Sequence, residues 1–175
     1  KDCGIENILA LRGDPPRGEA DFRPPPDGCA HADMLVAFLR GLDLDFSIGV
    51  AGYPEKHPEA SDLGADIRYL AGKIRAGADF VVTQLFFDNG RYFDFVSRLQ
   101  REFPSSRPRQ GWAGGVPIIP GIMPVTKKDQ LDKFVAMCGA SIPGPVRAFV
   151  DGAGTDADAE EAGIRFAVGQ TLDLL

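Results

Sequence analysis

The chain has 175 residues, 44% of them hydrophobic and 25% charged, with 25 acidic against 19 basic residues and a formal net charge of −6. That is the composition of a soluble globular domain; the acidic balance argues against a nucleic-acid surface, whose affinity rests on neutralising phosphates, and no apolar run approaches the roughly 20 residues of a membrane span. Three scattered cysteines (Cys3, Cys29, Cys138) lack metal-ligand spacing and only His31 and His57 accompany them, so no metal site is expected and a reducing, cytoplasmic home is.

In chain order, the run Asn7-Ile8-Leu9-Ala10-Leu11 meets the turn Arg12-Gly13-Asp14-Pro15-Pro16. A short apolar run bounded by turn signals reads as a strand buried on both faces. Gly13 frees the backbone and the prolines forbid continuation, so Arg12 and Asp14 arrive together at the strand's C-terminal end. Parallel α/β folds put ligand chemistry there, although an ordinary surface turn with two solvated charges fits the same residues. A polar, proline-rich loop over 17–28 leads to a helix with Leu35, Phe38, Leu39 and Leu42 at i, i+3, i+4 and i+7. A second strand over 46–52 ends at Tyr53-Pro54-Glu55-Lys56-His57-Pro58. The next helix is expected to bury Leu63, Ile67, Leu70, Ala71 and Ile74 and to stop where Gly77 supplies a left-handed cap. A third strand over 80–87 precedes a helix carrying Tyr92, Val96 and Leu99, and residues 104–115 read as a flexible insertion. A fourth strand over 116–122 is interrupted by prolines, and Thr126 with Asp129 forms a near-capping box before Leu131, Phe134, Val135 and Cys138. A proline-capped turn from Pro143 and a last helix over about 159–175 complete the chain.

The strands begin at Asn7, Phe46, Phe80 and Val116, spaced by 39, 34 and 36 residues. That is a βα repeat, and parallel strands joined by helices are its natural outcome. Four such strands make an open doubly wound sheet or half of an eight-stranded barrel. No G-x-G-x-x-G follows a strand, which weakens the dinucleotide-fold option. A complete barrel takes about 250 residues; by that measure the chain is short and reads as part of something larger, with the open sheet and the half barrel both still standing.

Four segments carry a resemblance. Asn-Ile-Leu-Ala-Leu-Arg-Gly-Asp-Pro-Pro (7–16), Ala-Gly-Tyr-Pro-Glu-Lys-His-Pro-Glu-Ala (51–60), Ala-Gly-Ala-Asp-Phe-Val-Val-Thr-Gln-Leu-Phe-Phe-Asp (76–88) and Pro-Ile-Ile-Pro-Gly-Ile-Met-Pro-Val (117–125) strongly resemble methylenetetrahydrofolate reductase, in order and in spacing. The resemblance implies a flavin-containing (β/α)8 barrel with FAD as cofactor. Such an enzyme reduces 5,10-methylenetetrahydrofolate to 5-methyltetrahydrofolate with electrons from NAD(P)H, in one-carbon metabolism and methionine synthesis. It further implies that residues 1–175 are part of a single catalytic domain, an α/β chain forming part of a TIM (β/α)8 barrel of about four βα units, the fourth to seventh strands, with the first three and the last absent. The family's catalytic glutamate lies on that first strand, so the chain as given is expected to be inactive alone. A truncated, non-catalytic fragment that binds or is inert is the competing reading. The expected partner is a folate substrate; homo-oligomerisation stays open.

By the same resemblance, Leu11, Arg12, Gly13 and Asp14 match the flavin-contacting strand end, with Asp14 the catalytic candidate. A carboxylate near the flavin pyrimidine edge and the pterin would favour a cationic folate by charge attraction. Arg12 would hold cofactor phosphate or neighbouring backbone. Tyr53 and His57 match flavin-binding positions after the second strand. Asp66 and Lys73, two turns apart on one helix side, match positions reaching the ribityl and phosphate region, where two solvated charges would be the plain alternative. Gln84 is costly to bury unpaired among aromatics; its amide offers donor and acceptor to a pterin edge and matches the family's folate contact. Phe134 matches a substrate-face aromatic, though periodicity alone makes it a core residue beside Leu131 and Val135. His31-Ala32 stand where family members carry Tyr-Ala, with the tyrosine against the adenine part of the cofactor.

Overall fold

The computed structural model describes residues 3–15, 18, 22–42, 44–104, 112–113 and 115–175, and the strands among them form one sheet. In chain order the elements are β1 (Asn7–Ala10), α1 (Ala32–Gly41), β2 (Ser47–Gly52), α2 (Leu63–Arg75), β3 (Phe80–Leu85), α3 (Asn89–Glu102), β4 (Trp112–Ala113), β5 (Val116–Gly121), α4 (Lys128–Cys138), α5 (Gly144–Gly152) and α6 (Asp156–Leu174). The pairs β1–β2, β2–β3 and β3–β5 are parallel, so the chain is an α/β fold built on a parallel sheet, as the βα spacing predicts. The expected insertion over 104–115 ends by pairing: Trp112 and Ala113 lie antiparallel against Pro117 and Val116, while residues 105–111 and 114 fall outside the described residues.

The register sorts the sheet into two faces. Ile8, Ile48, Val50, Val81 and Ile118 are in register on one face and pack under α1, α2 and α3, together with Ile67, Leu70, Ile74, Phe95 and Leu99. The other face carries Leu9 and Ile119, 46% and 47% exposed. Strand β1 is therefore buried on one side only, against the expectation of two, because α1, α2 and α3 pack on the first face while Leu9 on the other stays exposed. On the open face Phe80 lies over Gly49, whose added Cβ would come within 2.3 Å of the ring.

Local signals explain most boundaries. Helix α2 ends in a Schellman motif: Ala78 N–H donates to Lys73 O and Gly77 N–H to Ile74 O, with Gly77 at φ +115. In α1 the core residue is Val36, which the periodic reading passed over, while Phe38 and Leu42 are exposed. Helix α4 begins after Lys127 with no side-chain cap, and Asp129 pairs with Lys133 instead. The complete capping box belongs to α6, where Asp158 N–H donates to Thr155 Oγ1 and Thr155 N–H to Asp158 Oδ2. It starts that helix at Asp156, three residues before the expected place. The expected turn after Pro143 is helix α5, whose Val146 and Val150 build a second small core with Val125, Leu131 and Phe87. Helix α6 is tied to the chain just past β3, where Gln170 Nε2 donates to Phe86 O at 2.8 Å.

Candidate functional site

The polar groups gather where β1 and β2 end side by side. Past β1, Gly13 turns the chain at φ +86, a conformation that costs glycine little. Arg12 is thereby turned across the loop that follows β2. Its Nη1 donates to Glu59 Oε2 at 2.7 Å, its Nη2 to Glu59 Oε1 at 2.6 Å and its Nε to Gly13 O at 3.2 Å. The guanidinium also sits 4.8 Å from the ring centroid of Phe22, a cation–π arrangement. The ion pair raises Arg12 and holds the Glu59 carboxyl below its ordinary range. Asp14 is exposed, and its charge acts on Arg12, Tyr53 and Cys138.

Past β2, Tyr53 and His57 meet edge to face, with ring centroids 4.6 Å apart. Glu59 N–H donates to His57 Nδ1 at 3.1 Å; an imidazole that accepts at Nδ1 carries its proton at Nε2. His57 N–H in turn donates to Asp66 Oδ2 at 2.9 Å. Asp66 is only 8% exposed, and burial pushes its carboxyl up despite the opposing pull of that N–H and of Lys73. Lys73 donates to Ala51 O at 3.0 Å, and burial pushes its ammonium down despite Asp66. Both groups shift toward neutrality, so desolvation outweighs their mutual attraction. The seven-residue spacing does put them on one inward side, and the reading of two solvated charges fails.

His31 is the exposed N-cap of α1, without a side-chain cap, and Ala32 opens that helix. His31 lines, with Leu11, Arg12, Phe22, Leu35 and Phe38, an open hollow of about 360 Å³. It lies within electrostatic reach of Glu59, so it belongs to the same neighbourhood.

Gln84 stands on β3, next to β2 and at the same end of the sheet. The register between β3 and β5 shifts between Val82 and Leu85, a bulge that re-aims side chains. Side chains take over there: Leu85 N–H donates to Gln84 Oε1 at 2.9 Å, and Gly121 N–H to Thr83 Oγ1 at 2.9 Å. Gly121 is required at this crossing, since an added Cβ would lie 2.3 Å from Thr83 O. The amide oxygen of Gln84 thus serves the bulge, leaving its two N–H donors for another partner. Phe134 lies within α4, and its side chain is outside what the structure describes.

Sequence reasoning missed Glu59 and Lys56. Glu59 is named only through the geometry of Arg12, across 47 residues of chain. Lys56 carried a sequence signal of position alone, between Tyr53 and His57.

A buried carboxylate, a half-buried ammonium and an arginine thus gather by the C-terminal ends of adjacent parallel strands, the place where parallel α/β proteins put their ligand chemistry. The chain belongs to the methylenetetrahydrofolate reductase family, whose profile matches residues 1–175, as the four segments imply. It is 44% identical over 70% of its length to methylenetetrahydrofolate reductase 2 of Saccharomyces cerevisiae, covering 19% of that protein. It is 38% identical over 94% of its length to methylenetetrahydrofolate reductase (NADH) 1 of Arabidopsis thaliana, covering 28% of it. It is 40% identical over 89% of its length to 5,10-methylenetetrahydrofolate reductase of Escherichia coli, covering 47% of it. The chain therefore spans less than half the length of each of these relatives. Among solved structures, an uncharacterized protein from Clostridium thermocellum, described as binding two copies of 5-methyl-5,6,7,8-tetrahydrofolic acid, shares the fold at TM-score 0.62 and 17% identity. That match takes in 97% of this chain and 59% of the other.

Proposed function

We propose that residues 1–175 form part of the flavin-binding (β/α)8 barrel of a cytoplasmic enzyme that reduces 5,10-methylenetetrahydrofolate to 5-methyltetrahydrofolate with NAD(P)H. The observation that carries this is the cradle in which Arg12, Tyr53, His57, Asp66 and Lys73 converge between two strand ends. Its donor set fits FAD. The Nε2–H of His57 and the ammonium of Lys73 suit ribityl and phosphate oxygens. The hollow beside Arg12, walled by Leu11, Phe22, Leu35 and Phe38 and edged by His31, suits an adenine ring. Held by these residues, FAD would supply the hydride-transfer chemistry between nicotinamide and folate. The exposed apolar face bearing Leu9 and Ile119 suits a sheet covered by further barrel strands.

The chain's own residues supply binding and electrostatics. Asp66 fixes the loop of His57 through its N–H. Leu11 and Gly13 give the cofactor a close backbone approach, and Ala32 opens the helix that His31 caps. Asp14 stays exposed beside Tyr53, where its charge would favour a cationic folate. Gln84 offers two donors to a pterin edge. Folate as the substrate is supported by family membership and by the ligand named for the Clostridium thermocellum protein. The test is the full-length protein: a yellow preparation whose NAD(P)H oxidation depends on 5,10-methylenetetrahydrofolate is expected. A colourless protein that neither takes up FAD nor turns over the folate would overturn the reading.

A further inference from the structure

Among the described residues, Lys56 is the one non-glycine residue at positive φ, at +97. A residue with a Cβ is sterically disfavoured there, and such strain persists only where surroundings impose it. Here the side chain itself does so. Lys56 Nζ donates to His57 O at 3.2 Å, Pro58 O at 3.3 Å and Ala60 O at 2.7 Å. Its own N–H donates to Tyr53 O at 3.2 Å, closing the turn after β2, and Ala60 N–H donates to His57 O at 3.0 Å. One ammonium therefore ties the segment from 57 to 60 into a knot.

Both handles of the cradle hang from that knot. His57 reaches Asp66 through its N–H and Tyr53 through its ring. Glu59 reaches His57 Nδ1 through its N–H and Arg12 through its carboxylate. The left-handed turn at Lys56 directs the chain back so that these contacts form together. Glycine would adopt this φ without strain but would leave the three carbonyls without their shared donor. We propose that Lys56 is a positioning residue for the cofactor cradle: its ammonium preorganises residues 57–60, so that His57 presents Nε2–H and Glu59 holds Arg12 before any ligand arrives. This rests on the FAD reading above, and preorganisation is where the gain in affinity would come from.

The experiment uses the full-length protein stripped of flavin, with Lys56→Met, Lys56→Gly and Lys56→Arg variants. FAD affinity is measured by fluorescence titration, amide exchange is followed over residues 57–60, and apoprotein melting is recorded. Met keeps bulk and strain without donors, and Gly removes both. Each is expected to weaken FAD binding about tenfold and to speed exchange at Ala60, as loss of a charged clamp implies. Lys56→Arg, which keeps donors and charge, is expected to recover most of the affinity. Unchanged FAD affinity in Lys56→Met overturns the proposal. So does an affinity loss no larger than that of Gly163→Ala, a destabilising change in α6 outside the cradle, because Lys56 would then be merely structural. A wild-type protein that binds no FAD overturns the cofactor reading itself. A wild type that binds FAD beside an indifferent Lys56→Met overturns only the role of Lys56.

Discussion

Arg12 and Glu59 meet across 47 residues in a two-pronged ion pair, 2.7 and 2.6 Å long, that joins the end of β1 to the loop after β2. The arginine side chain is 16% exposed and the glutamate 52%, so one partner is held while the other faces water. Such a pair contributes little to stability when screened by solvent, on the order of 0–1 kcal/mol, but its geometry fixes a guanidinium at the mouth of the hollow. In the full-length protein, Glu59→Gln is expected to lower the melting temperature only slightly while weakening FAD binding several-fold. The sign with pH follows from the lowered Glu59 carboxyl. The contribution of the pair is complete above the ordinary carboxylate range and is lost as pH falls through the depressed value. Titration of FAD against the variant checks this; unchanged affinity would make the pair a loop tie only.

Asp66 responds to pH in the opposite direction. Its carboxyl is raised by burial, so the folded state binds the proton more readily than the unfolded chain does. The cost of the buried charge is complete above the raised value and disappears as pH falls through it toward the ordinary one. Asp66→Asn keeps an acceptor for His57 N–H and removes the charge. The stability of the wild type relative to this variant is therefore expected to rise as pH falls across that window. Urea unfolding of both proteins at a series of acidic pH values reads the slope, and a slope of the other sign would mean that Lys73 and His57 N–H more than offset burial.

Gln84→Glu separates the two ends of one amide. The carboxylate can still accept from Leu85 N–H, so the bulge between β3 and β5 is retained, but the two N–H donors are gone. An unmet buried partner typically costs about 1–3 kcal/mol, roughly tenfold to a hundredfold in affinity. Folate affinity in the full-length protein is expected to fall by that order with flavin content near normal. Lost flavin with unchanged folate affinity would make Gln84 a cofactor ligand instead.

Asp14 is exposed, and its charge reaches Tyr53 and Arg12. Removing it in Asp14→Asn is expected to slow the folate half-reaction more than reduction by NAD(P)H, because only the former gains from a nearby negative charge. Stopped-flow traces of each half-reaction decide. Equal slowing of both would leave Asp14 with a role in holding the cofactor alone.

Local chemistry was legible in the sequence wherever neighbours along the chain decide it. The cap at Gly77, the β–α alternation, and the shared side of Asp66 and Lys73 all depend on residues within two helical turns. What was not legible depends on distant chain. Val36 is buried, and Phe38 left out, by where α1 meets the sheet rather than by its spacing. Helix α5 was hidden because Pro143 and Gly144 read as a turn, whereas the burial of Val146 and Val150 against Leu131 and Val125 draws the next residues into a helix. Glu59 was silent because its partner lies 47 residues away, and Lys56 because strain at a backbone angle leaves no mark on composition. The cradle residues themselves came from the family resemblance, and the structure brings together those around β1, α1 and β2.

Two glycines of α6 should respond oppositely to the same methyl group. Gly163 sits on the backbone at Val125, where an added Cβ would fall 1.8 Å from the carbonyl oxygen, whereas nothing lies within 4 Å of a Cβ at Gly169. Gly163→Ala must lift the helix off the loop after β5. Overpacking of this kind costs about 1–3 kcal/mol, and it would strain the bond from Gln170 to Phe86 O, two residues beyond Gln84. Gly169→Ala, exposed in the middle of the helix, gains alanine's better helix propensity, about 1 kcal/mol or less. Denaturant unfolding of the full-length variants is expected to show a lower midpoint for Gly163→Ala and an equal or higher one for Gly169→Ala. Equal effects at the two positions would mean that α6 does not seat on Val125. The connection to the site is then testable in the same samples: folate affinity should fall for Gly163→Ala and stay constant for Gly169→Ala, because only the first displaces the helix that holds the end of β3.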